Sequence, residues 1–224
     1  KDYESAKDLY DLYKPYVLGI ISDVRFPRRC ELDGYAGIKL LEEIKKDRFD
    51  IPLLLTSSES ANAAKAGAIP ATFVDKNSDS LHADVRSFFI NQLGFGDFVF
   101  KTTDGQEIGR APNLQSLEKK LQEISDESFM YHCNRNDFSR WLFARTEIVL
   151  ASKVRPITED DFSDVESHRQ YLISLIHERR RRRQRGVVVN FETGDFDLET
   201  EFFKIGKGSL GGKICLGSSG IQPV

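Results

Sequence analysis

Leu18-Gly-Ile-Ile-Ser-Asp23-Val-Arg-Phe-Pro27 decides how the first half of this chain is read. An apolar run ends in an aspartate, and a proline follows four residues later. The run over 16–21 has the composition of a strand buried on both faces. Two further stretches complete it, Pro52-Leu-Leu-Leu-Thr-Ser57 and Phe73-Val-Asp-Lys76. Strands at 16–21, 52–56 and 71–74 place Asp23, Ser57 and Lys76 just past three strand ends.

Between these strands the pattern turns helical. Residues 2–13 read as a helix entering the first strand after Pro15. Residues 37–46 put Ile38, Leu41 and Ile44 on one helical face. Residues 59–66 form an alanine-rich helix that Gly67 can stop. A helix over 79–93 presents Leu81, Val85, Phe88 and Phe89. Alternation of this kind predicts an α/β, doubly wound parallel sheet with helices on both faces. Ligands of such sheets bind beyond the carboxyl ends of the strands. The expected site is therefore one acidic pocket holding a lone carboxylate.

The bulk composition sets limits. In 224 residues, 40% are hydrophobic and 30% charged, enough for a buried core in one large or two small domains. A net charge of −3 gives no general reason to expect nucleic acid or an anionic membrane as partner. Cys30, Cys133 and Cys215 are odd in number and form no CxxC pair, which fits a reducing cytoplasm. No apolar run reaches membrane length, and no signal peptide is visible. The chain opens on Lys1 and its only methionine is Met130, so it is expected to be part of a longer protein.

Residues 1–93 resemble the receiver domain of two-component response regulators, a flavodoxin-like fold. Asp23 matches the phosphoacceptor aspartate and Pro27 the proline of the loop after it. Ser57 matches the hydroxyl residue that orients the phosphoryl group, Phe73 the switch aromatic, and Lys76 the lysine of the last strand. The resemblance implies a nucleophilic carboxylate, a lysine offsetting charge on the transferring oxygens, and a hydroxyl that draws its loop toward new phosphate. It also implies Mg²⁺ held by Asp23 and the Arg25 backbone carbonyl, with a sensor kinase or small phosphodonor as partner. Two features depart from the family. No acidic pair for the metal is found, so the first strand, first helix and second strand are expected to be absent. Residues 28–36 form an expanded insert beside the site, able to gate the pocket or hold a partner.

A smaller α+β, largely helical domain is expected over 94–186. Residues 95–110 read as a hairpin turned at Asp104-Gly105. Residues 114–124 read as an amphipathic helix capped by Asn113. Asp137 is expected to cap a helix carrying Phe138, Trp141, Leu142 and Ile148. His132-Cys133 lacks the second ligand pair that zinc needs. As neighbours on a strand the two would point apart, so no catalytic pair is expected. Residues 158–185 read as one helix with Tyr171, Leu172, Leu175 and Ile176 as its stripe. Its arginine run, 179–183 with Arg185, complements the helix dipole or faces an acidic or phosphorylated protein surface. Nucleic acid is the less favoured partner, because no reader motif accompanies the run.

Residues 187–224 read as a linker and the start of an ATP-binding phosphotransferase domain. Leu210-Gly-Gly-Lys213 is not a Walker loop. It resembles the opening of the nucleotide-binding domain of phosphoenolpyruvate synthases and pyruvate phosphate dikinases, where Lys213 matches the lysine near ATP phosphates. After Lys213 the sequence departs from the helix this family shows. The resemblance implies a receiver-like module controlling an attached phosphotransferase, with ATP bound only in the longer protein. The alternative is a pseudo-receiver that serves as a docking or dimerisation scaffold.

Overall fold

The computed structural model describes residues 2–185, 189–190 and 213–214. Within it the chain is α/β, built on a three-stranded parallel sheet. Helix α1 (Tyr3–Tyr13) opens with Asp2 accepting the Ser5 N–H at 2.8 Å, which satisfies an orphan donor of its first turn. A 3₁₀ turn over Lys14–Tyr16, with Pro15 inside it, continues the helix. Strand β1 (Ile20–Asp23) therefore starts later than the apolar run suggested. Strands β4 (Leu53–Ser57) and β5 (Thr72–Asp75) complete the sheet in the order β1-β4-β5. Ile20 lies opposite Leu53, Asp23 opposite Thr56, and Ser57 opposite Asp75.

Side chains alternate across the sheet, as period-2 geometry requires. Leu53 and Leu55 enter one core with Tyr3 and Tyr10 of α1. Ile38, Leu41 and Ile44 of α2 (Ala36–Asp47) join them there. Leu54 and Val74 enter the other core with Phe88 of α4 (Leu81–Asn91) and Leu93. Among the described residues only the central strand, β4, has both faces fully covered, which is why it reads as three consecutive leucines. β1 is an edge strand among the described residues, and Ile21 is half exposed, so the first strand is not buried on both faces. Helix α3 covers only Asn62–Ala68, and Gly67 lies inside it rather than ending it.

The insert after Asp23 is a β-hairpin, β2 (Phe26–Arg28) paired antiparallel with β3 (Glu31–Asp33). Arg29 and Cys30 at its tip both have positive φ, 53° and 67°. Two left-handed central residues make a type I′ turn, the twist that suits a two-residue hairpin. A second hairpin pairs β6 (Phe98–Lys101) with β7 (Glu107–Ala111), and Gly105 takes φ +89° in its turn.

Five helices follow: α5 (Leu114–Glu123), α6 (Asp126–Cys133), α7 (Asp137–Ala144), α8 (Ile148–Val154) and α9 (Val165–Arg185). Asn113 caps α5 through the Ser116 N–H at 2.9 Å. Asp137 does not cap α7. Asn136 occupies that position with φ 56°, and Asp137 points to other partners. Ile148 falls on α8 and is exposed, so it does not share the stripe of Phe138 and Trp141.

The chain divides into two compact units that interleave along the sequence. One comprises Lys1–Pro112 with Glu127–Thr158, the other Asn113–Asp126 with the residues from Glu159 onward. In the second unit α5 packs on α9 through Leu117 and Leu121 on one side and Leu172 and Ile176 on the other. Arg169 is buried there and donates to the Leu121 carbonyl at 2.7 Å and to Asp126 at 2.5 Å. A two-residue ladder pairs β8 (Val189–Asn190) with β9 (Lys213–Ile214).

Candidate functional site

The carboxyl ends of the three parallel strands bring Asp23, Ser57 and Lys76 together. Lys76 Nζ lies 2.5 Å from Asp23 Oδ2, and both side chains are partly open to solvent. Asp23 Oδ1 accepts the Val24 N–H at 2.7 Å, which fixes the carboxylate against the strand end. The backbone pins the same corner: Val24 donates to the Thr56 carbonyl and Lys76 to the Ser57 carbonyl, at 3.2 and 2.8 Å.

Gly37 closes the floor. Its N–H donates to the Val24 carbonyl at 3.0 Å, and a Cβ there would stand 1.7 Å from the Asp23 carbonyl oxygen. The first turn of α2 thus lies directly against the strand end, and only glycine permits the approach.

Ser57 is placed as expected but is engaged. Its Oγ accepts from Asn62 Nδ2 and from the Glu59 N–H, both at 3.0 Å, and the side chain is buried. To meet a ligand at Asp23 the hydroxyl must give up or share these contacts. Phe73 lies on β5 with its ring partly buried against the α1–α2 core. Pro27 falls within β2, on the insert hairpin. Arg25 turns its guanidinium to Glu59, 3.3 Å away.

Among the described residues no group of three or more carboxylate, imidazole or thiol side chains is placed to hold a metal ion. At the strand ends the carboxylates are Asp23, already paired with Lys76, Asp75, which accepts the Asn77 N–H at 2.8 Å, and Glu59, engaged by Arg25. This set does not by itself make a Mg²⁺ site. Gly211 and Gly212 lie outside the described residues, as does the side chain of Lys213, so the glycine-lysine motif has no described geometry beyond the β9 backbone.

A second concavity lies at the opposite, amino-terminal ends of β4 and β5. It is a cleft of about 620 Å³ bordered by Asp50, Pro52, Phe98, His132, Asp137 and Arg140, among others. Its charges are largely satisfied by one another. Asp137 meets His132 Nδ1 at 2.8 Å and also receives the Arg140 guanidinium. Burial pushes the Arg140 guanidinium below its ordinary range, although Asp137 and Asp50 oppose the shift. Asp50 takes Arg155 at 2.7 Å and Arg48 at 3.3 Å, and its carbonyl accepts from Arg140 at 2.8 Å.

His132 Nε2 accepts the Lys101 N–H at 2.9 Å. That bond requires an unprotonated Nε2, so Nδ1 carries the proton and donates to Asp137. His132 and Cys133 lie on a helix rather than a strand, and His132 is a buried clamp between α6, α7 and β6. It sits inside an aromatic cluster in which Phe98 stacks on Phe138 at 4.8 Å and meets Trp141 edge-on at 5.9 Å. Sequence reasoning missed this role. The available signal was a His and an Asp five residues apart, flanked by aromatics on both sides.

The arginine run ends α9 with several of its members paired: Arg180 with Glu118, and Arg181 and Arg182 with Glu178. No described helix is long and apolar enough to cross a membrane. Comparison with family models, curated proteins and solved structures returned no match.

Proposed function

We propose that the parallel-sheet part of this chain is a receiver-like switch in which Asp23 accepts a phosphoryl group. The observation that supports it most is the convergence of Asp23, Ser57 and Lys76 at three adjacent strand ends, with Lys76 2.5 Å from the carboxylate. In this reading an Asp23 oxygen attacks the phosphorus of a phosphodonor. The bond from phosphorus to the donor's leaving atom breaks, a P–O bond with departure of acetate when the donor is acetyl phosphate, and an aspartyl phosphate remains. Lys76 offsets charge on the phosphoryl oxygens. Ser57 exchanges Asn62 and Glu59 for the new phosphate, and that rearrangement, next to Phe73 on β5, carries the signal.

The phosphodonor is a sensor kinase or a small acyl phosphate. The output would be an attached phosphotransferase of the phosphoenolpyruvate synthase type, a reading that rests on the Leu210-Gly-Gly-Lys213 resemblance. The intact protein, incubated with acetyl phosphate with and without Mg²⁺, tests the first step. A phosphoryl adduct lost in Asp23→Asn is expected, and its absence under both conditions sinks the proposal. The second reading is a non-phosphorylated scaffold for docking or dimerisation. The engaged Ser57 and an Asp23 carboxylate already paired with Lys76 favour it. An Asp23→Ala protein with unchanged assembly and no response to phosphodonor would select it.

A further inference from the structure

Helix α1 carries two apolar faces. One, with Tyr3, Ala6 and Tyr10, is packed into the core. The other, with Leu9, Leu12 and Tyr13 and then Tyr16 in the 3₁₀ turn, is open to solvent at 54, 68, 53 and 60%. These residues recur at i, i+3, i+4 and i+7, so they form one continuous stripe. Four large side chains left this open present roughly 400 Å² of largely apolar surface, the size at which a patch on a soluble protein marks a contact site.

The charges beside the stripe are lopsided. Both lysines of the segment are occupied by α2, Lys7 with Glu43 at 2.7 Å and Lys14 with Asp47 at 2.5 Å. Asp8 and Asp11 are exposed and make no ion pair among the described residues. Asp8 stands one turn before Leu12 at the edge of the stripe, while Asp11 lies further round the helix, away from it. Two copies of α1 packed antiparallel about a twofold axis would bring their Asp8 flanks together, so a self-pair is disfavoured. The arginine-bearing helix α9 spends its own apolar face, Leu172 and Ile176, on α5.

We infer that the outer face of α1 docks an amphipathic helix of another protein that has an apolar stripe and a basic flank. Leu9, Leu12, Tyr13 and Tyr16 fill its apolar face, and Asp8 meets its lysines or arginines. The patch is smaller than a standard interface, so the contact is weak and reversible.

The test uses the whole protein and a fluorescently labelled synthetic helix with leucines at i, i+3, i+4 and i+7 and lysines along one flank. A second peptide carries glutamates in place of the lysines. Anisotropy should report binding of the lysine peptide, weakened about tenfold or more in Leu12→Asp. The glutamate peptide should bind only to the Asp8→Lys variant. Equal binding of both peptides to the natural chain, or no effect of Leu12→Asp, overturns the inference. So does a protein that is dimeric in solution and becomes monomeric in Leu12→Asp, which would assign the face to a second copy. Leu12 is exposed, so circular dichroism of the variant should match the natural chain.

Discussion

At the residue scale, four positions carry more than their chemistry suggests. Gly37 lets α2 touch the back of Asp23, and Gly37→Ala should cost about 1–3 kcal/mol and displace the Asp23–Lys76 pair. Chemical denaturation gives the first, and phosphoryl uptake by the variant the second. Arg29 and Cys30 hold left-handed backbone that non-glycine side chains resist. Replacing them with Asn and Gly should stabilise the hairpin by about 1 kcal/mol, read as a raised denaturation midpoint. His132 bridges the Lys101 amide and Asp137 inside an aromatic shell. His132→Leu keeps much of the volume but leaves a buried amide without its acceptor, and should cost about 1–3 kcal/mol. Nitrogen NMR of His132 should show the proton on Nδ1 rather than Nε2, as its hydrogen bonds require.

At the element scale, α1 is fastened to α2 by a small ionic cluster. Tyr10 donates to Asp47 at 2.6 Å, and Lys14 pairs with the other oxygen. Lys14 and then Tyr10 hold the Asp47 carboxyl below its ordinary value of 3.8. Its contribution to stability is therefore complete above that value and is lost as pH falls through the lower folded value. Acid unfolding should begin at higher pH once this contact is gone, and Asp47→Asn should flatten that limb of the stability curve. The elements were also where the sequence was most legible. β4, α2 and α5 were readable because one pattern controlled each: consecutive leucines, a 3.6 period, an Asn cap. β1 was misplaced because Pro15 was compatible with a strand start as well as with the 3₁₀ turn it occupies. The hairpin within the 28–36 insert is hidden in the sequence because its turn uses Arg-Cys where a hairpin signal would be Asn-Gly. The strand-end site was legible because Asp23, Ser57 and Lys76 each close an apolar run. The engagement of Ser57 by Asn62 was not, since it depends on where α3 begins.

At the scale of the whole molecule, the parallel sheet is tied to later sequence. Arg140 and Arg155 reach Asp50, Arg145 donates to the Gly94 and Gly96 carbonyls at 2.7 and 2.6 Å, and the Trp141 indole donates to Gly96 at 3.0 Å. These ties join residues 45 to 105 positions apart. A chain cut after Pro112 would leave Phe98 and Phe100 without Phe138, Trp141 and His132. It should bind a hydrophobic dye and unfold without a sharp transition, whereas the full chain should unfold cooperatively.

The interleaving of the two units also bears on the order of events at the ribosome. Helix α5 emerges well before α9, the helix its leucines need, while α7 and α8, made between them, belong to the first unit. Until α9 follows, Leu117 and Leu121 must wait uncovered on a nascent chain whose first unit is otherwise ready to close. That interval is the stage at which a chaperone would find something to hold, and at which slowed translation between 126 and 159 would most lower the yield of native protein.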